Sequence, residues 1–303
     1  MMGAQPIAVV GSSGQVARAL SRAAKSRGAA IVTAGRPDVD IAGADSMRRF
    51  VDTHRPALVI NAAAYTAVDK AECDAETARR VNCDGPAALA RICHAAGIPL
   101  LHISTDYVFN GLKGAAYVED DLRQPQSVYG TTKAAGEDAI RSALQRHIIV
   151  RTAWVYGPDG QNFLKTMLRL AAERDVVRVV ADQHGTPTSA DHLAGALLDI
   201  AGVVCAAGAN APWGTYHVVS RGETTWHGFA AEIFRCVREA GGKVPHLDAI
   251  SSAEYPTPAE RPVYAVLDTC KVRDTFGIDL PPWQSGVAEC VKVLASKKPE
   301  TVS

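Results

Sequence analysis

The 303-residue sequence predicts a doubly wound, Rossmann-type parallel α/β sheet followed by a smaller C-terminal α/β cap. Three observations carry that prediction. Apolar runs of strand length recur through the first half, stretches of helical periodicity alternate with them, and a glycine-bearing turn joins the first strand to the first helix. Several of the runs are apolar at consecutive positions, as strands covered on both faces should be.

The expected strands are PIAVVG (6–11), AAIVTAG (29–35), ALVINAAA (57–64), PLLHIST (99–105) and HIIVRTAWV (147–155). Between them the helical stretches are QVARALSRAAKSRG (15–28), DSMRRFVDTHR (45–55), AETARRVNCDGPAALARICHAAG (75–97) and SVYGTTKAAGEDAIRSALQ (127–145). Gly28 and Gly97 stand where helix-ending glycines belong. After residue 155 the rhythm loosens. NFLKTMLRLAAERD, ADHLAGALLDIAGVV and TTWHGFAAEIFRCVREAGG read as helices, VVRVVAD and TYHVVS as strands, and ISSAEYPTPAERPVYAVL as a proline-rich connection. Residues 1–155 are therefore expected to form the dinucleotide-binding domain and 156–303 mainly the cap, with segments near 189–204 returning to the first. The tail KKPETVS is expected to fray.

Lys plus Arg equals Asp plus Glu, 32 each, which argues against a nucleic-acid partner. Seven cysteines without a CxxC pair point away from disulfides and zinc and towards a reducing cytoplasm. No signal-peptide pattern opens the chain and no uninterrupted apolar run is long enough for a bilayer, so no membrane is expected.

In GSSGQVA (11–17), Gly11 makes the tight turn, Gly14 lets backbone N–H groups approach a pyrophosphate, and the helix N-terminus adds positive potential. A plain strand–helix turn is the competing reading, since the spacing departs from G-x-G-x-x-G. Arg36 follows the second strand, where an arginine accommodates the 2′-phosphate of NADPH and an acidic residue would select NADH. Asp40 falls where the adenine edge would pass, and Ala62, Ala63 and Ala64 end the third strand with side chains small enough for a cofactor to lie on the backbone.

At the other end, Ser104, Thr105 and Asp106 follow the fourth strand, on the side where open α/β sheets bind ligands. Tyr129 and Lys133 stand four apart on the next helix and so share a face. Thr105 can hydrogen-bond a carbonyl oxygen, Tyr129 can give it a proton, and Lys133 can favour the phenolate. Lowering a tyrosine by about three pH units takes roughly 4 kcal/mol, which a neighbouring ammonium in a partly dry cleft can supply. Taken alone, the pair reads more readily as a solvated helix face.

These residues, with VINAAAYTAVDKAE (59–72), HISTDYVFNG (102–111), VYGTTKAAGE (128–137), VRTAWVYG (150–157), NFLKTMLRLA (162–171), DQHGTPT (182–188) and YPTPAERP (255–262), resemble the extended short-chain dehydrogenase/reductase family over nearly the whole chain, and within it the nucleotide-sugar reductases. The resemblance implies NADPH-dependent reduction, with NADH the alternative, of the C4 keto group of a dTDP-sugar. It implies Tyr129 as proton donor, Lys133 as its partner and holder of the nicotinamide ribose, and Thr105 on the keto oxygen. Gly11, Gly14, Gln15, Val16, Arg36, Asp40, Ile41, Ala62 to Ala64 and Ile103 would contact the cofactor, and Asp106, Trp154 and Arg261 the substrate. Some relatives dimerise through Mg²⁺ held by a carboxylate in the first helix. Here that turn reads Ala17-Arg18-Ala19, so no metal is expected and a homodimer of another kind stays open. The rivals are another nucleotide-sugar reductase and a non-catalytic dinucleotide-binding subunit, which would have a broken Tyr/Lys pair.

Overall fold

The computed structural model describes residues 5–296, so the tail from 297 lies outside the described residues. Six parallel strands form the main sheet: β1 (Ile7–Val10), β2 (Ile31–Ala34), β3 (Leu58–Asn61), β4 (Leu100–Thr105), β5 (His147–Thr152) and, after β6 (Val176–Val180) of a separate ladder, β7 (Gly214–His217). Their spatial order is β7-β5-β4-β3-β1-β2. The order reverses at β1, where β2 lies on one side and β3 on the other, and the carboxyl ends of β1 and β3 therefore open a crevice. All five strands expected in the first half form, each within a few residues of its expected bounds. β6 pairs in parallel with β8 (His246–Ile250), outside the main sheet.

Helices α1 (Gln15–Arg27), α2 (Ala44–His54), α3 (Gly85–Ala96) and α4 (Val128–Ala143) follow the first four expected stretches. Gly28 and Gly97 do end α1 and α3 in the left-handed conformation, at φ 64° and 69°. The third stretch is not one uniform helix. It runs as α-helix over Ala75–Arg79, widens to a π-helical turn over Arg80–Asp84, then resumes as α3. Tertiary contact causes the widening. The Asn82 side chain accepts from the Tyr65 N–H at 2.8 Å and donates to the Tyr65 carbonyl and the Thr132 hydroxyl. The Asn82 carbonyl abuts Gly136 of α4, where any side chain would collide. The turn thus presses α4 onto the end of β4.

Beyond β5 lie α5 (Phe163–Glu173), α6 (Ala190–Ala207), α7 (Trp226–Glu239), α8 (Cys270–Phe276) and α9 (Trp283–Ser296). By length and composition α6 could cross a bilayer, a feature the sequence reading passed over. It packs instead as a core helix: Leu193, Leu197, Ile200 and Val204 are buried in one cluster with Ala17, Leu20 and Ala24 of α1. Arg22 and Arg27 of α1 pair with Asp191 and Asp199 of α6 at 2.7 and 2.6 Å. Being half-exposed, each pair contributes under about 1 kcal/mol, so apolar burial decides the contact. A separate cluster built on Leu164, Met167, Phe229, Ile233, Trp283 and Val287 holds α5, α7 and α9 together.

The polar centre of the fold is Glu137 on α4, fully buried. Arg151 of β5, 1 % exposed, donates to both its oxygens at 2.9 Å, and the Ser104 hydroxyl of β4 donates at 2.6 Å. Burial alone would raise this carboxyl, but the Arg151, Ser104 and Arg141 contacts outweigh it and hold it at about 2. Its contribution to stability is complete above the unfolded carboxylate value of about 4.3 and is lost as pH falls towards 2. Arg151→Met should lower the unfolding free energy by about 3–5 kcal/mol in urea titrations, because it strands a buried charge. Glu137→Gln should flatten the acid limb of the stability profile.

Candidate active site

The site begins with how α4 reaches the sheet. Ser127 caps the helix by accepting from the Gly130 N–H at 3.2 Å, and the Glu72 carboxylate accepts from the Val128 N–H at 2.9 Å. Gly130 lies against the Tyr107 carbonyl, a contact that leaves no room for a Cβ. This approach sets Tyr129 and Lys133 beside the 104–107 turn, and the Tyr107 and Tyr129 rings meet edge to face at 5.5 Å.

Thr105, Asp106, Tyr129 and Lys133 line one cavity of about 580 Å³ together with Gly14, Gln15, Val16, Ala62 to Ala64, Ile103 and Trp154. A second cavity, of about 420 Å³, is lined by Gly11, Gly14, Arg36, Asp40, Ile41 and Ala62 to Ala64. The shared residues Ser13, Gly14 and Ala62 to Ala64 make the two cavities one elongated groove across the crevice between β1 and β3. The structure therefore brings the expected cofactor residues together.

Gly11 has φ 109°, and a Cβ there would lie 2.7 Å from the Ala63 nitrogen. α1 starts at Gly14 with no side-chain cap and no acidic residue in its first turn, leaving its N–H groups free for an anion. Gln15 is held by the Asn162 amide at 2.8 Å. Among the described residues the Arg36 guanidinium has no ion-pair partner, and no cluster of three or more His, Cys, Asp or Glu side chains gathers as a metal site.

Burial pushes the Tyr129 phenol up to about 12, with the Thr105 hydroxyl working against the rise and the Asp106 carboxylate adding to it. Lys133 is 1 % exposed. Its Nζ donates to the Ile103 carbonyl at 2.7 Å and lies 3.2 Å from His102 Nε2, and burial depresses it to about 8, with Glu137 opposing. Arg261 lies beside Tyr107, which lines the larger cavity. It pairs with Asp69 at 2.7 Å and donates to the Thr257 hydroxyl, outside the lining of either cavity.

Asp106 is 2 % exposed; Thr105 Oγ1 donates to its Oδ1 at 2.9 Å, while its Oδ2 is buried without a partner. Thr152 Oγ1, on the same cavity wall, is likewise unpaired. Burial raises the Asp106 carboxyl to about 7 against the Thr105 and backbone hydrogen bonds. Trp154 adopts φ 45°, rare for a bulky side chain, and stacks on Trp226 with centroids 3.6 Å apart and planes 9° apart. Gly185, from the DQHGTPT stretch, packs against its indole edge, and Phe163 closes the wall against Trp226 at 4.7 Å. Sequence reading missed Trp226, Phe163 and Thr152. Only the tryptophan opening the TTWHGF helix carried a signal, as a large aromatic at a helix start.

A glycine turn at a switch point, with a Tyr–Lys pair and a threonine at the next strand end, defines an α/β oxidoreductase of the short-chain dehydrogenase/reductase type. Comparison with known proteins narrows the class. The family described as "RmlD substrate binding domain" matches residues 5–296. The dTDP-4-dehydrorhamnose reductase of Sinorhizobium fredii is 43 % identical over 95 % of this chain and 97 % of its own. The crystal structure of the corresponding reductase from Clostridium acetobutylicum superposes with TM-score 0.88 at 36 % identity, covering 96 % of this chain and 99 % of that one. The Bacillus anthracis enzyme, solved in complex with NADP, gives TM-score 0.88 at 31 % identity with the same coverage. The chain belongs to the dTDP-4-dehydrorhamnose reductase family.

Gly185→Ala tests the aromatic wall, since its Cβ would lie 2.5 Å from the Trp154 ring. Tryptophan emission should shift as the stack opens, and stability should fall by about 1–3 kcal/mol in denaturant titrations.

Proposed function

We propose that this chain reduces the C4 keto group of dTDP-4-dehydro-β-L-rhamnose with NADPH, giving dTDP-β-L-rhamnose. The observation that carries the reading is the buried Tyr129, flanked by Thr105 and Lys133, at the junction of a dinucleotide groove and an aromatic-walled cavity. Family membership and the NADP complex of the Bacillus anthracis relative support it.

The groove fits NADPH on this chain's own features. The side-chain-free turn at Gly11 and the uncapped start of α1 suit a pyrophosphate. The unpartnered Arg36 guanidinium suits a 2′-phosphate. Ala62 to Ala64, Ile41 and Ile103 offer apolar walls, and Lys133 would hold the nicotinamide ribose. Bound NADPH supplies the hydride.

The chain's own work is orientation and proton delivery. The Thr105 hydroxyl orients the keto oxygen. Tyr129 then gives its proton to that oxygen as negative charge builds there. A phenol at about 12 is fully protonated at neutral pH, the form an acid must have, and an alkoxide is basic enough to take its proton. The unpaired Asp106 Oδ2 and Thr152 Oγ1 suit sugar hydroxyls, and Trp154 and Trp226 provide flat surface for the sugar nucleotide. Residues 1–155 would carry the cofactor and the later half mainly the sugar nucleotide, in a cytoplasmic enzyme.

The test follows NADPH absorbance with dTDP-4-dehydro-β-L-rhamnose and identifies the product. Turnover is expected; a folded protein that leaves NADPH unoxidised would refute the reading. Tyr129→Phe should cut kcat by about 10²–10⁴ with NADPH affinity intact by fluorescence titration. Arg36→Ala should erode the NADPH-over-NADH preference in kcat/KM, and an unchanged ratio would mean that Arg36 does not read the phosphate.

A further inference from the structure

The π-helical turn over Arg80–Asp84 decides which arginine of its helix keeps a free charge. In an α-helix the neighbours of Asp84 on its own face lie three and four residues back, so Arg80 would be its natural partner. A π turn is wound one residue wider and lets side chains five apart meet. That is the pairing present: Arg79 Nε lies 3.7 Å from Asp84 Oδ1. Arg80 is left without an ion-pair partner among the described residues. With Thr77 and Val81 of the same helical segment it lines the cavity of about 420 Å³ that holds Arg36.

Three cations border this cavity, each from a different segment: Arg36 after β2, Lys70 on the short helix Val68–Ala71, and Arg80. Its two carboxylates are engaged within the chain. Asp40 Oδ1 accepts from the Ala42 N–H at 3.0 Å, and Asp74 Oδ2 accepts from the Tyr65 hydroxyl at 3.0 Å. The Thr77 and Tyr65 hydroxyls hold the Asp74 carboxyl below its usual range and Lys70 adds to the fall, so Lys70 has a counter-charge close by. Arg36 and Arg80 have none. A phosphate monoester carries a charge of about −1.5 to −2 and three acceptor oxygens, more than one guanidinium satisfies. We propose that Arg80, left free by the π turn, is a second specificity-determining residue for the cofactor: together with Arg36 it binds the 2′-phosphate of NADPH. The proposal deepens the reading of the groove as an NADPH site and rests on it.

Calorimetric titration of the full chain with NADP⁺ and with NAD⁺, in the absence of any sugar nucleotide, decides the matter. Arg80→Ala should weaken NADP⁺ about tenfold, the worth of one hydrogen bond to a charged group, and change NAD⁺ by less than about twofold. Arg80→Lys keeps the charge without the fork and should recover part of the loss. An unchanged NADP⁺ affinity would overturn the proposal. So would an equal loss for both dinucleotides, the result expected if the guanidinium lies on the adenine ring or supports the fold. Adenosine 2′,5′-bisphosphate confines the measurement to this end of the groove. Arg80→Ala should weaken it as much as NADP⁺, and an unaffected bisphosphate would also count against the proposal. Wild-type protein that binds neither dinucleotide would remove the NADPH reading of the groove and this proposal with it. A wild-type preference for NADP⁺ that survives Arg80→Ala would remove the proposal alone.

Discussion

The buried ion pair between Glu137 and Arg151 is the constraint on which the rest of the structure depends. It joins the helix carrying Tyr129 and Lys133 to β5, and through Ser104 to the strand end carrying Thr105. Taking two charges out of water is costly, and the arrangement persists because every oxygen of the carboxylate is met by donors. Apolar side chains of similar volume would pack here, yet they would not fix the axial position of α4 against β4. A hydrogen-bond fork tolerates little sliding, whereas an apolar contact tolerates a good deal. Catalytic geometry at the strand ends depends on that register.

A second constraint acts through close backbone approach. The π-helical turn at Arg80–Asp84 pushes the Asn82 carbonyl against Gly136, while Gly130 takes the Tyr107 carbonyl. α4 is thus gripped at two side-chain-free positions and at one carboxylate. The VYGTTKAAGE stretch is therefore more than a carrier for a Tyr–Lys pair. Its two glycines, its glutamate and Thr132 each answer a specific neighbour.

Local patterns made much of this legible. The five strands of the first half, the helix-ending glycines and the switch-point turn all follow from near-neighbour periodicity and backbone freedom, and they appear where expected. Within the site, the residues flanking the β1, β3 and β4 ends could be named because an open parallel sheet always exposes that edge. What stayed hidden depends on partners distant in the chain. The π turn is imposed by Tyr65 and Thr132, and nothing in AETARRVNCDG announces it. Trp226 joins Trp154 across more than seventy residues. Helical spacing shows that Tyr129 and Lys133 share a face, but not that Lys133 Nζ is met by a carbonyl and a histidine on a strand. The pairing of Arg261 with Asp69, 192 positions away, was equally hidden.

The sheet order has a consequence for how the chain comes off the ribosome. β5 is flanked on one side by β4 and on the other by β7, whose residues are made some sixty positions later, after α5, β6 and α6 have emerged. Until then β5 carries an open row of amide and carbonyl groups on an apolar strand, the template on which nascent chains pair wrongly. The partner of Arg151, Glu137 of α4, is made just before β5, so that helix can cover one face of the strand and neutralise its charge while the edge still waits for β7.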